Sequence, residues 1–237
     1  MPLSDFTTLS FDCYGTLIDW EAGLSAALSE LRERTGAGQQ ELLEAFGRAE
    51  HAIEEEYPGL RYSDLLAKVH DRLSADFGME PDAARAQAFG QSVGDWPAFP
   101  DSAGALRYLK QHFRLVILSN VDRASFARSN ERLGVEFDDI FTAEEIGSYK
   151  PDPRNFQYLL DRLAERGVGK DQLLHVAQSL FHDHVPANRF GIASAWIDRR
   201  AGREGGATVV PDPMPRCEFR FTSLEELAEA HRAEVGA

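Results

Sequence analysis

Cysteine is scarce in this 237-residue sequence, with only Cys13 and Cys217 present. Two cysteines cannot build a disulfide framework, so the fold must rest on its own core, and a reducing compartment is expected. Long apolar runs are also missing: no stretch approaches the ~20 residues that span a bilayer. The opening Met1-Pro2-Leu3-Ser4-Asp5-Phe6 has neither the basic nor the apolar region of a secretory leader, and a cytoplasmic protein without membrane contact is the expectation. Positive charge is in deficit, with 25 Lys and Arg against 39 Asp and Glu and a net charge of -14. Such a balance argues against nucleic acid or anionic lipid as a partner and leaves a small molecule. Repeats and low-complexity tracts are absent as well, and 43% hydrophobic residues supply ample material for a core.

The residues that are present fall into two blocks. Between Ile18 and Asp95 the apolar period is helical throughout. One helix carries Leu24, Ala27, Leu28 and Leu31 and runs to about Thr35, where Gly36 and Gly38 end it. A second carries Leu42, Leu43, Phe46, Ala49 and Ile53, a third Leu65, Leu66, Val69 and Leu73, and a fourth begins near Pro81-Asp82 and ends towards Trp96. With no strand among them, residues 18–95 read as an inserted all-helical cap domain.

Residues 1–17 and 96–237 read differently, as an α/β core. Short apolar runs at about Leu9–Asp12, Leu115–Asn120, Asp139–Thr142, Leu173–Ala177 and Ala193–Ile197 alternate with helical segments. That alternation implies a Rossmann-like parallel sheet with helices on both faces. Gly202–Gly206 reads as a surface turn, Pro211–Pro215 as a connector, and the chain closes on an acidic helix from Ser223.

Polar groups follow directly on four of these strands or sit in the loops after them: Asp12 and Thr16, Ser119 and Asn120, Lys150, and the stretch Gln178 to Asp183. Right-handed crossovers bring such loops to one edge of the sheet, so the groups converge. A carboxylate, small hydrogen-bonding groups, a cation and a second carboxylate at one edge suggest covalent catalysis by Asp12. Other polar residues carry blander readings. His175, His182, Asp183 and His184 form a cluster that invites a metal-site reading, but His182 and His184, two apart at a helix start, point to different sides, so the expectation is that they face solvent and hold no metal. Cys13 reads as a small core filler, Glu54-Glu55-Glu56 as a solvated helix face, and Phe46 and Tyr57 either as cap packing or as a cover over the pocket.

Phe11-Asp12-Cys13-Tyr14-Gly15-Thr16-Leu17, then Leu118-Ser119-Asn120, then Tyr149-Lys150-Pro151-Asp152, then a strand leading to Asp183, resemble in order and setting the haloacid dehalogenase superfamily. The resemblance runs over essentially the whole chain, with the helical block where that superfamily inserts its cap. Phosphatases of the superfamily carry a second Asp two residues after the nucleophile, as acid for a leaving alcohol. Here that residue is Tyr14, as in the L-2-haloacid dehalogenase branch, and a halide leaves as an anion with no proton donor.

The resemblance therefore implies a metal-free and cofactor-free hydrolase that converts a small 2-haloalkanoic acid to a 2-hydroxy acid through an ester on Asp12. It implies that Lys150 aims Asp12, that Thr16 bonds the nucleophile, and that Ser119 binds the substrate carboxylate. Asn120 would face the halide, and Asp183 would orient water or brace Lys150. Arg48 stands nearest to the cap arginine of the branch, with Arg61 next. Phe156 and Gln178 occupy positions where the branch has Tyr and Ser. A homodimer is compatible with the resemblance. Two alternatives stay open: a phosphatase acting on a small phosphate ester with Mg2+ on Asp12 and Asp183, and a catalytically inactive relative that only binds.

Overall fold

The computed structural model describes residues 1–201 and 211–236; the Gly202–Gly206 turn lies outside them. Six strands form one parallel sheet in the order β3-β2-β1-β4-β5-β6, with β1 spanning Thr8–Phe11, β2 Arg114–Ser119, β3 Asp139–Thr142, β4 Leu173–Ala177, β5 Ala193–Ile197 and β6 Phe219–Phe221. Parallel pairing of β1 with both β2 and β4 sets Ser10 beside Val116 on one side and His175 on the other. The chain runs outward through β2 and β3, then returns to the opposite side of β1 for β4. Loops leaving β1 and β4 therefore diverge and open a crevice at the strand ends, where ligands bind in such sheets.

Strand β2 shows why the sheet must be covered twice. Leu115 and Ile117 join one apolar cluster, while Val116 and Leu118 join another with Phe141, Phe156, Leu159 and Leu163. A strand with period-two side chains can be apolar at every position only when helices cover both faces. On one face lie α6 (Ser102–Leu109), α7 (Arg123–Leu133) and α11 (Leu224–Val235), whose Ala105, Leu106, Phe126 and Leu224 enter the first cluster. On the other lie α9 (Pro153–Ala164) and α10 (Val185–Phe190), beyond the short α8 (Ala143–Ile146). The edge strand β6 has no counterpart in the sequence reading: three residues with one exposed arginine between two phenylalanines carry too little periodicity to register.

Between β1 and α6 stand five helices: α1 (Trp20–Ala27), α2 (Ser29–Thr35), α3 (Gln39–Glu56), α4 (Tyr62–Asp76) and α5 (Ala83–Ser92). The single helix expected up to Thr35 is broken in two at Leu28 (φ -93°, ψ 8°), a bend that lets Gly23, Leu24 and Leu31 all face inward. Helix α5 begins where Asp82 accepts bonds from Ala84 and Arg85 N-H, each at 3.0 Å. The block joins the sheet through paired backbone: Asp19 N-H reaches Pro97 O at 2.8 Å and Phe99 N-H reaches Leu17 O at 3.0 Å. Gly23 is a close-approach glycine, because a Cβ there would lie 2.2 Å from Trp96 Cγ. Arg132 on α7 adds a tie by donating to Gly94 O at 2.6 Å.

Candidate active site

Strand β1 ends at Phe11, yet Asp12 still donates its N-H to Val176 O at 3.1 Å, so its carboxylate leaves the last rung of the sheet. The chain then turns at Gly15, whose φ of +96° suits glycine alone. This turn brings Thr16 back beneath the carboxylate. The Thr16 hydroxyl donates to Asp12 Oδ2 at 2.7 Å and accepts from Gln178 N-H at 2.9 Å, which fixes its rotor. On the other oxygen, Lys150 Nζ donates to Asp12 Oδ1 at 2.9 Å, and also to Asp183 Oδ1 at 2.7 Å and Leu118 O at 2.9 Å. All three ammonium protons are thereby committed, and Lys150 is only 2% exposed.

A second row of groups holds Asp183. His175 Nε2 contacts Asp183 Oδ1 at 2.9 Å, and His175 Nδ1 contacts Ser10 Oγ at 2.8 Å, both within the core. Ser10 and His175 are in register on adjacent strands, so the sheet itself sets this pair. The lysine segment is locked from its backbone: Asn120 Oδ1 accepts from Lys150 N-H at 2.6 Å, and Asn120 Nδ2 donates to Lys150 O at 3.0 Å.

Charge follows geometry. Burial alone would lower the Lys150 pKa, but the charges of Asp12 and Asp183 and their hydrogen bonds lift it above the ordinary lysine value. Asp183 is opposed by burial, yet Lys150 and His175 hold it well below the usual carboxylate range. Asp12 is shifted upward, since burial and the Asp183 charge outweigh the help of Lys150 and Thr16. The result is one ion triad in which Asp12 is the more basic carboxylate.

That cavity measures about 300 Å³ and lies between the strand ends and α3. Asp12, Tyr14, Ser119, Asn120, Lys150, Gln178 and Asp183 line it together, so the sequence-predicted groups converge, with Thr16 one bond behind. The Asn120 side chain is largely engaged with Lys150. Ser119 Oγ is buried and has no hydrogen-bond partner among the described residues, as is Asp183 Oδ2. Tyr14 gives its hydroxyl to a 2.8 Å contact with Ser129, and burial raises its pKa far above that of a usable acid. Trp20, Phe46, Trp96 and Phe181 supply the apolar surface; Tyr57 does not line the cavity and is 37% exposed.

Two expected substrate contacts lie elsewhere. Arg48 is exposed, because the cavity face of α3 is formed by Phe46, Gly47, Glu50, His51 and Glu54, centred about a third of a turn away. Arg61, the second choice, pairs with Glu144 at 3.2 Å. Phe156 is fully buried behind the sheet, edge-on to His175 with ring centroids 5.1 Å apart, and has no surface on the cavity. A tyrosine hydroxyl would need a partner in that apolar layer.

The acidic run is also divided: Glu55 and Glu56 are exposed, whereas Glu54 faces the cavity four residues after Glu50. Nor do the histidines face solvent. His184 is buried against Ser194 and Ala177 O, and His182 lines the cavity, its pKa lowered by burial to about 4. The π-helical turn at Leu180–His184 winds more widely than an α-turn and folds both side chains inward.

The phosphatase alternative would place Mg2+ on Asp12 and Asp183. Asp12 and Asp183 are joined through Lys150, and the described residues contain no group of three or more His, Cys, Asp and Glu placed to hold a metal ion.

Residues 6–176 match the family described as haloacid dehalogenase-like hydrolase. The chain belongs to this family. Curated relatives include (S)-2-haloacid dehalogenase of Pseudomonas putida, 27% identical over 81% of this chain and 84% of the relative. Another is (S)-2-haloacid dehalogenase 1 of Pseudomonas sp. (strain CBS-3), 30% identical over 80% and 83%. In fold, the family resemblance extends to L-2-haloacid dehalogenase of Xanthobacter autotrophicus with chloropropionic acid covalently bound. That structure has a TM-score of 0.78 and 18% identity, covering 96% of this chain and 98% of that one.

The supporting Ser10–His175 pair and the Glu50–Glu54 wall escaped the sequence reading. Both left a trace: a histidine inside the apolar run Leu173-Leu174-His175-Val176-Ala177, and glutamates at four-residue spacing after Phe46.

Proposed function

We propose that the protein hydrolyses the carbon-halogen bond of a small 2-haloalkanoic acid, with residues 1–17 and 96–237 as the catalytic core and 18–95 as a cap over it. The observation that carries this reading is a buried Asp12 carboxylate, held at one oxygen by Lys150 and at the other by Thr16, with Tyr14 in place of a proton donor. Asp12 attacks C2 in line with the halogen; the C-O bond forms as the carbon-halogen bond breaks, and the electron pair leaves with the halide. Lys150 and Thr16 restrict the carboxylate to one aim, so little orientational freedom remains to be lost at the transition state. The apolar cavity wall excludes water from the displacement.

Water then adds to the ester carbonyl of Asp12. The Asp183 Oδ2 oxygen, which has no bonded partner among the described residues, is the acceptor offered to that water. Collapse frees the 2-hydroxy acid and a proton and restores Asp12, now carrying an oxygen from water. Ser119 Oγ, also without a partner among the described residues, is the donor offered to the substrate carboxylate, and Asn120 acts by fixing the Lys150 backbone. The relatives named (S)-2-haloacid dehalogenase support this substrate class.

Chloride release from 2-chloropropionate in the presence of EDTA tests the reading. Activity should persist with the chelator; phosphate release that needs Mg2+, with no chloride, would overturn it. Asp12→Asn should abolish chloride release, and a variant that kept it would remove Asp12 from the reaction.

A further inference from the structure

The α3 wall of the cavity carries Glu50 and Glu54, one turn apart on the same face as Phe46. Tyr62 donates its hydroxyl to Glu50 Oε1 at 2.5 Å, and among the described residues no cation pairs with either carboxylate. Lys150 is the one lysine or arginine among the described lining residues, and its three protons are already given to Asp12, Asp183 and Leu118 O. The cavity thus holds four carboxyl groups against one committed cation. A second, independent feature points to a ligand: Ser119, 2% exposed, lines the same space, and its Oγ has no hydrogen-bond partner among the described residues.

Resting on the hydrolytic reading above, we propose that the preferred substrate is a halogenated acid whose far end carries an ammonium group seated on Glu50 and Glu54. Ser119 takes the carboxylate, Asp12 takes the halogen-bearing carbon, and the α3 pair takes the cation. A buried carboxylate without a counter-ion is costly, and a cationic ligand supplies the counter-ion the fold leaves out.

The titration of the pair agrees. Burial pushes Glu50 up to about 7 and Glu54 well above its ordinary value, where the Glu50 charge adds to it and Lys150 opposes it. Around them stand Tyr62 from α4, Tyr149 and Lys150 from the segment before α9, His182 after β4 and His51 on α3. An ammonium ion favours the ionised pair, so its binding expels protons and strengthens as pH rises. A ligand with only a carboxylate follows the opposite course.

Trp20 and Trp96 line the cavity, so their fluorescence reads occupancy in the unaltered protein. Titration with 4-aminobutanoate and with butanoate should show the former binding at least tenfold more tightly at pH 8, with the ratio shrinking towards pH 6. Glu54→Gln and Glu50→Gln should each reduce the ratio several-fold. In turnover, 4-amino-2-chlorobutanoate should exceed 2-chlorobutanoate in kcat/KM by a similar factor.

Butanoate binding equally or more tightly at pH 8 would overturn the proposal, as would a ratio indifferent to both substitutions. The fate of the dehalogenase reading is separate. If 4-aminobutanoate wins but neither chloro acid releases chloride, the ammonium site stands and the hydrolytic reading fails.

Discussion

Replacing Lys150 by methionine keeps an unbranched side chain one atom shorter and removes the charge at the centre of the triad. Lys150 is 2% exposed and bonds both Asp12 and Asp183, so the variant leaves two buried carboxylates facing one another without a cation. Breaking a buried pair in this way costs about 3–5 kcal/mol. Most of that cost is avoidable by protonation, so stability and activity should separate with pH. In the variant the folded-state carboxylates bind protons more tightly than in the unfolded chain, and stability is recovered as pH falls. At neutral pH the melting temperature should drop by roughly 10 °C, at about 2–4 °C per kcal/mol for a chain of this size.

Activity runs the other way. About 3 kcal/mol lost from the ionised Asp12 raises its pKa by roughly two further units, at about 1.4 kcal/mol per unit. Initial rates of halide release should therefore reach their plateau at a pH roughly two units higher in the variant than in the native enzyme. A loss of equal size at every pH, with an unchanged melting temperature, would refute the idea that Lys150 works by keeping Asp12 ionised.

Other outcomes follow from the same contacts. Thr16→Val deletes the 2.7 Å bond to Asp12 Oδ2; a hydrogen bond to a charged group is worth about 1.5–3 kcal/mol, so kcat should fall roughly 10- to 100-fold with KM little changed, as steady-state kinetics would show. Glu50→Gln keeps an acceptor for Tyr62 and removes a carboxyl whose folded pKa, about 7, lies above its ordinary 4.5. A raised carboxyl pKa means the native protein loses stability as pH climbs through that interval. The variant should therefore exceed the native protein in denaturant unfolding by about 1–3 kcal/mol at pH 8, allowing for partial solvent screening, with the gain gone near pH 4.5.

How much of this was legible in the sequence depends on range. Strand-then-loop grammar exposed Asp12, Ser119, Lys150 and Asp183, because each follows a strand of the apolar sheet, and the sheet order brings those ends together. Contacts set by strand register were harder. His175 reads as one polar residue in an apolar run until β1 pairs with β4 and places Ser10 beside it. Phe156 and Arg48 were misjudged because a position borrowed from a resemblance says nothing of which helix face meets the cavity. Glu54 was lost among its exposed neighbours, since three consecutive glutamates look alike on paper while a 100° step per residue sends them to different surroundings.

The claim on which the rest depends is the ester on Asp12. A single turnover of 2-chloropropionate in 18O-labelled water, followed by mass spectrometry of the peptide containing Asp12, tests it most directly. One labelled oxygen should appear in the Asp12 carboxylate and none in the first-formed 2-hydroxy acid. Label in the product with an unlabelled Asp12 would mean that water attacks the carbon itself, and the account would be wrong.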